Sequence, residues 1–272
     1  MRLVFRGPAA GVAARGAAVG EPLRKRQEFL DADQTIVYTT PVEKRRMESM
    51  AARQGRQTSC STWNSPPEAE TFLAALASAF GAAGQSLPPG DGEAMGRAYA
   101  ELCRWNRRLN LTRLIAPEEA AVGHFLDSAM AAPDLPPAAA VLDVGSGAGF
   151  PGVVLAIRRP DARVTLLEKT AKKVEFLRQL IRGVPLINAE AVAGSWPAWP
   201  ADDAYDVIVS RATFADGAAW RDVGRALKAD GTLWLWRGED GALDIPGFVA
   251  TSRPYRLPGR RRERRLVVYR RT

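Results

Sequence analysis

The run DVGSGAGFPG, Asp143 to Gly152, decides the fold. It closes the apolar stretch AAAVLDV, and its glycines at 145, 147 and 149 remove side chains where a backbone has to turn sharply and come close to a ligand. A helix is predicted to begin near Pro151, so the run reads as the turn between a first strand and a first helix. Beyond it, the strand-length runs ARVTLLE, INAEAVA, YDVIVS and GTLWLW alternate with helical segments. That alternation is the pattern of an α/β fold with a mostly parallel, doubly wound sheet. A C-terminal antiparallel hairpin is predicted to complete it, with one strand around Gly247 to Tyr255 and a last one from Arg265 to Tyr269. The arginine-rich segment Arg260 to Arg264 would join them.

Upstream of the loop, the breaker-rich segment PDLPPAA separates the sheet from a helical region. A first helix is predicted to open at Ser65, with Ser65 as N-cap, Pro66 at the first helical position and Glu68 three residues on. Phe72, Leu73, Leu76 and Phe80 then recur at helical spacing. A second helix is predicted from Asp91 to Arg108 with Met95, Tyr99, Leu102, Cys103 and Trp105 inward, and a third from Pro117 to Met130. The organisation is therefore a poorly structured leader over 1–65, a small helical cap over 66–132 and the ligand-binding domain over 133–272. The first twenty residues carry three arginines and no acid. Organellar transit peptides share that composition, and so would the translated leader of a gene start placed upstream of Met47 or Met50.

With 272 residues the chain can bury a large core and form a cleft. No run approaches the roughly 18 to 20 apolar residues of a membrane span, so a soluble protein without a membrane partner is expected. Two cysteines, Cys60 and Cys103, and a single histidine give no zinc-ligand set, which points to a reduced, cytoplasmic protein without a structural metal. The net charge of +8 is unevenly spread. Arg256 to Arg271 holds eight arginines against Glu263, whereas Pro67 to Tyr255 has four more acids than bases. A polyanion met at one edge of an acidic body fits that asymmetry.

Two cofactors suit the loop. Gly147, Gly149 and Gly152 have dinucleotide spacing, and Glu168 falls about twenty residues later where NAD enzymes hold a ribose, so an NAD-dependent oxidoreductase is one alternative. Asp143 argues for the other. An anionic side chain at the strand end repels a pyrophosphate but complements the ammonium end of S-adenosylmethionine, while Glu168 accepts from ribose hydroxyls in either case. A third alternative is a non-catalytic RNA-binding protein on the same fold. Intact Asp143, Gly145, Gly147, Gly149, Glu168 and Arg211 count against it.

Five segments together make the chain resemble the bacterial 16S rRNA (guanine-N7)-methyltransferase G family, also called RsmG or GidB. They are WNRRLNLT at Trp105 to Thr112, HFLDS at His124 to Ser128, the glycine loop followed by LLEKTAKKVEFLRQL, SRA at Ser210 to Ala212, and ERRLVVYR at Glu263 to Arg270. The resemblance runs from about Ser65 to the C-terminus. It implies a class I, Rossmann-like methyltransferase that uses S-adenosylmethionine to methylate N7 of guanine 527, in the 530-loop region of 16S rRNA. The partner would be that rRNA, as the 30S subunit or an assembly intermediate. It also implies that Gly145 and Phe150 contact the cofactor, that Trp196 and Pro197 lie by the adenine, and that Arg211 stands where cofactor and substrate meet. Two departures are visible. Arg237-Gly238 replaces a lysine-glycine pair common in the family, and AGSWPAWP lacks the usual acids, which leaves adenine contacts to backbone and to Trp196 or Trp199.

Guanine N7 carries an in-plane lone pair, so methyl transfer to it needs no base. His124 nevertheless shares a helix face with Asp127 and Ser128, and either fixes the cap or lines the substrate pocket. Asn110 either bonds a base edge or caps a turn. Arg104, Arg107, Arg108 and Arg113, with Arg237, Arg261, Arg262 and Arg264, suit phosphate contacts, which set affinity and salt sensitivity rather than the choice of base.

Overall fold

The computed structural model describes residues 67–196, 199, 203–211, 214–239 and 241–272. Helices α1 (Pro67–Ala82) and α2 (Pro89–Leu109) come first. A third helical stretch, α3 over 117–129, has its middle, Ala121–Leu126, wound as a π-helix between the α-helical ends Pro117–Ala120 and Asp127–Ala129. The predicted cap at Ser65 and the leader lie outside the described residues. α2 slightly overruns its predicted span because Pro89 occupies a first-turn position that needs no amide hydrogen, and Arg107 and Arg108 suit the negative end of the helix dipole. It stops at Asn110, whose left-handed backbone (φ 46°, ψ 50°) turns the chain while its N–H donates to the Asn106 carbonyl.

The strands are β1 (Ala140–Val144), β2 (Arg163–Glu168), β3 (Ala189–Ala193), β4 (Tyr205–Arg211), β5 (Leu227–Arg237), β6 (Phe248–Tyr255) and β7 (Arg264–Arg271). Helices α4 (Gly152–Arg158), α5 (Ala171–Gly183) and α6 (Gly217–Val223) connect them. Their order across the sheet is β3-β2-β1-β4-β5-β7-β6. The first five pair in parallel, and β7 lies antiparallel between β5 and β6. The chain runs outward from β1 to β3 and then returns to β4 on the other side of β1. Strand order reverses there, and the crevice that binds ligands in such sheets opens beyond the carboxyl ends of β1 and β4.

Alternation along the strands divides the core into two clusters. On one face Val141, Val164, Val207 and Trp234 pack with Phe72 and Leu76 of α1, Met95 and Leu102 of α2, Phe125 of α3, Val154 of α4 and Phe176 of α5. On the other face Leu142, Ile208, Leu233 and Val267 pack with Trp220 and Val223 of α6. The helices ahead of the sheet thus share one core with α4 and α5. Phe72 stacks on Tyr99 at 4.1 Å and meets Phe125 edge-on at 4.9 Å. Leu73, Cys103 and Trp105, expected inward, are half-buried at the margin of this core.

The C-terminal hairpin is present, with β6 beginning one residue later than predicted and β7 extending beyond the predicted 265–269 at both ends. Arg264 belongs to β7 and not to the connecting loop, because ladder pairing continues to Arg264 opposite Tyr255 and Arg265 opposite both Pro254 and Arg237.

Candidate active site

Gly145, Gly147 and Gly149 all adopt positive φ, at 72°, 54° and 92°. At Gly149 a Cβ would also stand 2.8 Å from Val153 Cγ2, so only glycine fits both the backbone and the space. The loop is pinned to the ends of β1 and β2. Gly145 and Ser146 donate their N–H groups to the Leu167 carbonyl at 2.9 and 3.1 Å, and Gly147 donates to Glu168 Oε2 at 3.1 Å. Glu168 Oε1 accepts from the Thr170 N–H at 2.8 Å. A carboxylate oxygen has a second lone pair, so Glu168 still has room for a diol beside the loop.

Asp143 is fully buried. Its Oδ2 accepts from the Gly152 N–H at 2.9 Å, whereas its Oδ1 is buried without a hydrogen-bond partner. Burial pushes its pKa up to about 7, against the pull of the Gly152 N–H and the Arg211 charge. A cation or donor placed at Oδ1 would satisfy the bare oxygen and restore the ionised form.

Beyond the loop, Phe150 starts a row of stacked groups. The His124 ring lies parallel to Phe150 at 4.5 Å, and the Arg211 guanidinium sits 5.3 Å from the Phe150 centroid. Arg211 ends β4 with its side chain 17% exposed. Its Nη1 donates to the Gly123 carbonyl at 3.0 Å, and its Nη2 lies 2.8 Å from His124 Nδ1. The π-helical turns of α3 carry both partners. Burial and the adjacent Arg211 charge push the His124 pKa down to about 3, so the imidazole is neutral. Arginine only donates; Nδ1 must therefore accept, and the ring proton sits on Nε2, which donates to Thr112 Oγ1 at 2.8 Å. Neither ring nitrogen is left to act as a base.

Asp127, one turn after His124, is the hub that the sequence did not reveal. Its Oδ1 accepts from the Tyr255 hydroxyl at 2.6 Å, and its Oδ2 accepts from Arg264 Nη2 at 2.8 Å and lies 3.5 Å from Arg211 Nη1. The Asp127 carbonyl accepts from Trp236 Nε1 at 3.0 Å. The carboxylate ties α3 to β4, β6 and β7 at once. Arg264, expected on phosphate, is committed to this hub.

The remaining predicted residues are dispersed. Trp196 is half-buried with Trp199 against the second core cluster, and both indole N–H groups are buried without a partner among the described residues. Pro197 lies outside those residues. Asn110 is exposed at the end of α2, and its backbone makes the cap. Arg237 Nε donates to the Gly241 carbonyl at 3.0 Å, which closes the turn after β5. Arg104 is paired with Glu101 at 2.6 Å, while Arg107, Arg108, Arg113, Arg261 and Arg262 are exposed. Arg104, Arg107 and Arg108 surround a hollow of about 480 Å³ floored by Trp105 and Gln179. The hairpin loop approaches the site, since a Cβ on Gly123 would lie 3.9 Å from Arg260 Nη2. A larger groove, about 780 Å³, lies at the opposite end of the strands between Asp134, Lys228 and Arg270. Two of its three cations are neutralised in Lys228–Asp206 and Arg253–Asp134 pairs, and it contains none of the residues around the loop.

The family model for rRNA small subunit methyltransferase G matches residues 92–246. The chain belongs to that family. The match includes the glycine loop, His124, Asp127 and Arg211 together. A ribosomal RNA small subunit methyltransferase G of Methylobacillus flagellatus is 39% identical over 152 residues, 56% of this chain and 73% of that protein. Its counterpart from Xanthomonas axonopodis pv. citri is 35% identical over 191 residues, 68% and 90% of the two chains. Among solved structures, a TehB-like SAM-dependent methyltransferase from Corynebacterium glutamicum shares 19% identity at a TM-score of 0.45, covering 64% of this chain and 99% of that one. Membership disposes of the oxidoreductase alternative. Among the described residues no cluster of His, Cys, Asp or Glu is arranged to hold a metal ion, and no helix is long and apolar enough to cross a membrane.

Proposed function

We propose that this protein transfers a methyl group from S-adenosylmethionine to N7 of guanine 527, in the 530-loop region of 16S rRNA. The observation that carries the cofactor assignment is the bare, buried Oδ1 of Asp143 at the point where strand order reverses. The family carries the rRNA substrate: the relatives it resembles are small-subunit rRNA methyltransferases.

Asp143 would take the ammonium group, Glu168 the ribose hydroxyls, and the backbone at Gly145, Gly147 and Gly149 the intervening atoms. The indoles of Trp196 and Trp199, with Pro197, would flank the adenine. Bound S-adenosylmethionine supplies an electrophilic methyl group on a sulfonium. The chain's own work is then placement. N7 attacks with a lone pair already in the ring plane, so proton abstraction is not needed, in keeping with a neutral His124 whose nitrogens are both engaged. Holding nucleophile and methyl in line can account for up to about 7 to 11 kcal/mol of barrier reduction in favourable cases. Arg211, fixed over Phe150 by Gly123 and His124, is positioned to hold an anionic group of cofactor or substrate. The exposed Arg104, Arg107, Arg108, Arg261 and Arg262 would meet phosphates. These cations suit structured rRNA, as naked RNA or in a 30S particle.

The test is methyl incorporation from labelled cofactor into 30S subunits that lack the modification, followed by mapping of the modified nucleotide. Label at N7 of guanine 527 is expected. Label on another nucleotide, or none, contradicts the proposal.

A further inference from the structure

We propose that the Thr112 hydroxyl is the donor that reads O6 of the target guanine; this rests on the guanine-N7 assignment above. A threonine hydroxyl ordinarily donates or accepts as its neighbour requires, and such a group does not discriminate between bases. Thr112 has lost that freedom. Its Oγ1 accepts from the His124 Nε2–H at 2.8 Å and from the Leu114 N–H at 3.1 Å, which occupies both lone pairs. The hydroxyl hydrogen cannot point at His124, because the ring proton is on that nitrogen. The backbone is held as well: Asn106 Nδ2 donates to the Thr112 carbonyl at 3.1 Å, and the Thr112 N–H donates to Asn106 Oδ1 at 2.9 Å. What remains is a half-buried O–H fixed in direction, one imidazole ring away from Arg211 in the row that ends at Phe150 of the glycine loop.

The chemistry of the base asks for such a group. The edge of guanine that bears N7 presents two acceptors, N7 and O6. N7 must stay bare to receive the methyl, so recognition from that edge falls to O6 and needs a donor. Adenine places an amino donor at the same position. A hydroxyl whose lone pairs are both taken cannot accept from it, and the two donors would face each other unpaired. Asn110, two residues earlier, carries a donor and an acceptor on an exposed amide and lacks this selectivity.

The test compares kcat/KM for labelled methyl transfer to 30S particles reconstituted with guanine or 2-aminopurine at the target position. The analogue keeps N7 and lacks O6. With the wild-type protein a loss of about tenfold or more is expected on the analogue. Thr112→Val should show a similar loss on guanine and little further loss on 2-aminopurine, and Thr112→Ser should restore the guanine preference. Equal wild-type rates on the two bases overturn the proposal without any variant. So does a Thr112→Val loss of the same size on both, which is what a purely structural role through His124 would give. If the wild type leaves guanine unmethylated, the assignment of function fails and this proposal falls with it; transfer to guanine without an O6 effect refutes this proposal alone.

Discussion

Replacing Asp127 by asparagine keeps the shape of the hub and removes its charge. Asp127 faces Arg264 at 2.8 Å, the Tyr255 hydroxyl at 2.6 Å and Arg211 at 3.5 Å, and its side chain is 1% exposed. Removing one partner of a fully buried ion pair costs about 3–5 kcal/mol. Here the arginines keep 31% and 17% side-chain exposure, so water recovers part of that loss, and about 2–4 kcal/mol is the expected destabilisation. For a domain of this size that lowers the melting temperature by roughly 5 to 12 °C. The amide nitrogen also turns a donor toward one of three donors, which frees the C-terminal hairpin from α3 and loosens Arg211. Methyl transfer should fall roughly tenfold or more, while S-adenosylhomocysteine affinity changes much less. Thermal melting and single-turnover transfer to 30S particles are the assays. A melting point within about a degree of wild type, with transfer within about twofold, refutes the claim that Asp127 organises the site.

Arg211→Lys keeps the charge but cannot reach both the Gly123 carbonyl and His124 Nδ1, so kcat should drop about tenfold or more in the same transfer assay. Replacing both Arg261 and Arg262 by alanine should lower the slope of log binding constant against log salt by about 1.5, with turnover at saturating RNA retained, as filter binding across a salt series would show. The pH dependence follows from Asp143. Its pKa is raised to about 7, so its contribution to stability is full below about pH 4 and is lost as pH rises through 7. An ammonium group at Oδ1 requires the ionised form, so S-adenosylhomocysteine affinity should rise from pH 5.5 to about 7 and then level off, with proton release visible by calorimetry in buffers of different ionisation enthalpy. Asp143→Asn should flatten that profile.

The sheet was legible because its signals are local. AAAVLDV followed by three alternating glycines states a strand and a turn within twelve residues of chain, and the runs after it repeat the grammar. The continuous apolar run did not say which side chain faces which layer; Val141 and Leu142 go to opposite faces, as strand neighbours must. The hub was not legible, since Asp127 meets Tyr255 and Arg264 across 128 and 137 residues of chain. RRRERR reads as a solvated loop, and only the ladder to β5 and β6 shows that its fourth arginine, by position 264, turns inward as a strand residue. The π-helical turns in α3 are likewise silent, because one extra residue per turn leaves the apolar pattern of AVGHFL almost unchanged. His124 could be placed on a helix face from spacing alone, but its tautomer depends on Arg211, 87 residues away.

Calorimetric titration of the wild-type protein and Asp143→Asn with S-adenosylhomocysteine, 5′-methylthioadenosine and NAD tests the central claim most directly. S-adenosylhomocysteine should bind the wild type at least about tenfold more tightly than the variant. 5′-Methylthioadenosine, which lacks the ammonium, should bind both alike, and NAD should bind neither. An equal affinity of S-adenosylhomocysteine for both proteins, or heat from NAD alone, would contradict the assignment of that buried oxygen to the cofactor's ammonium group.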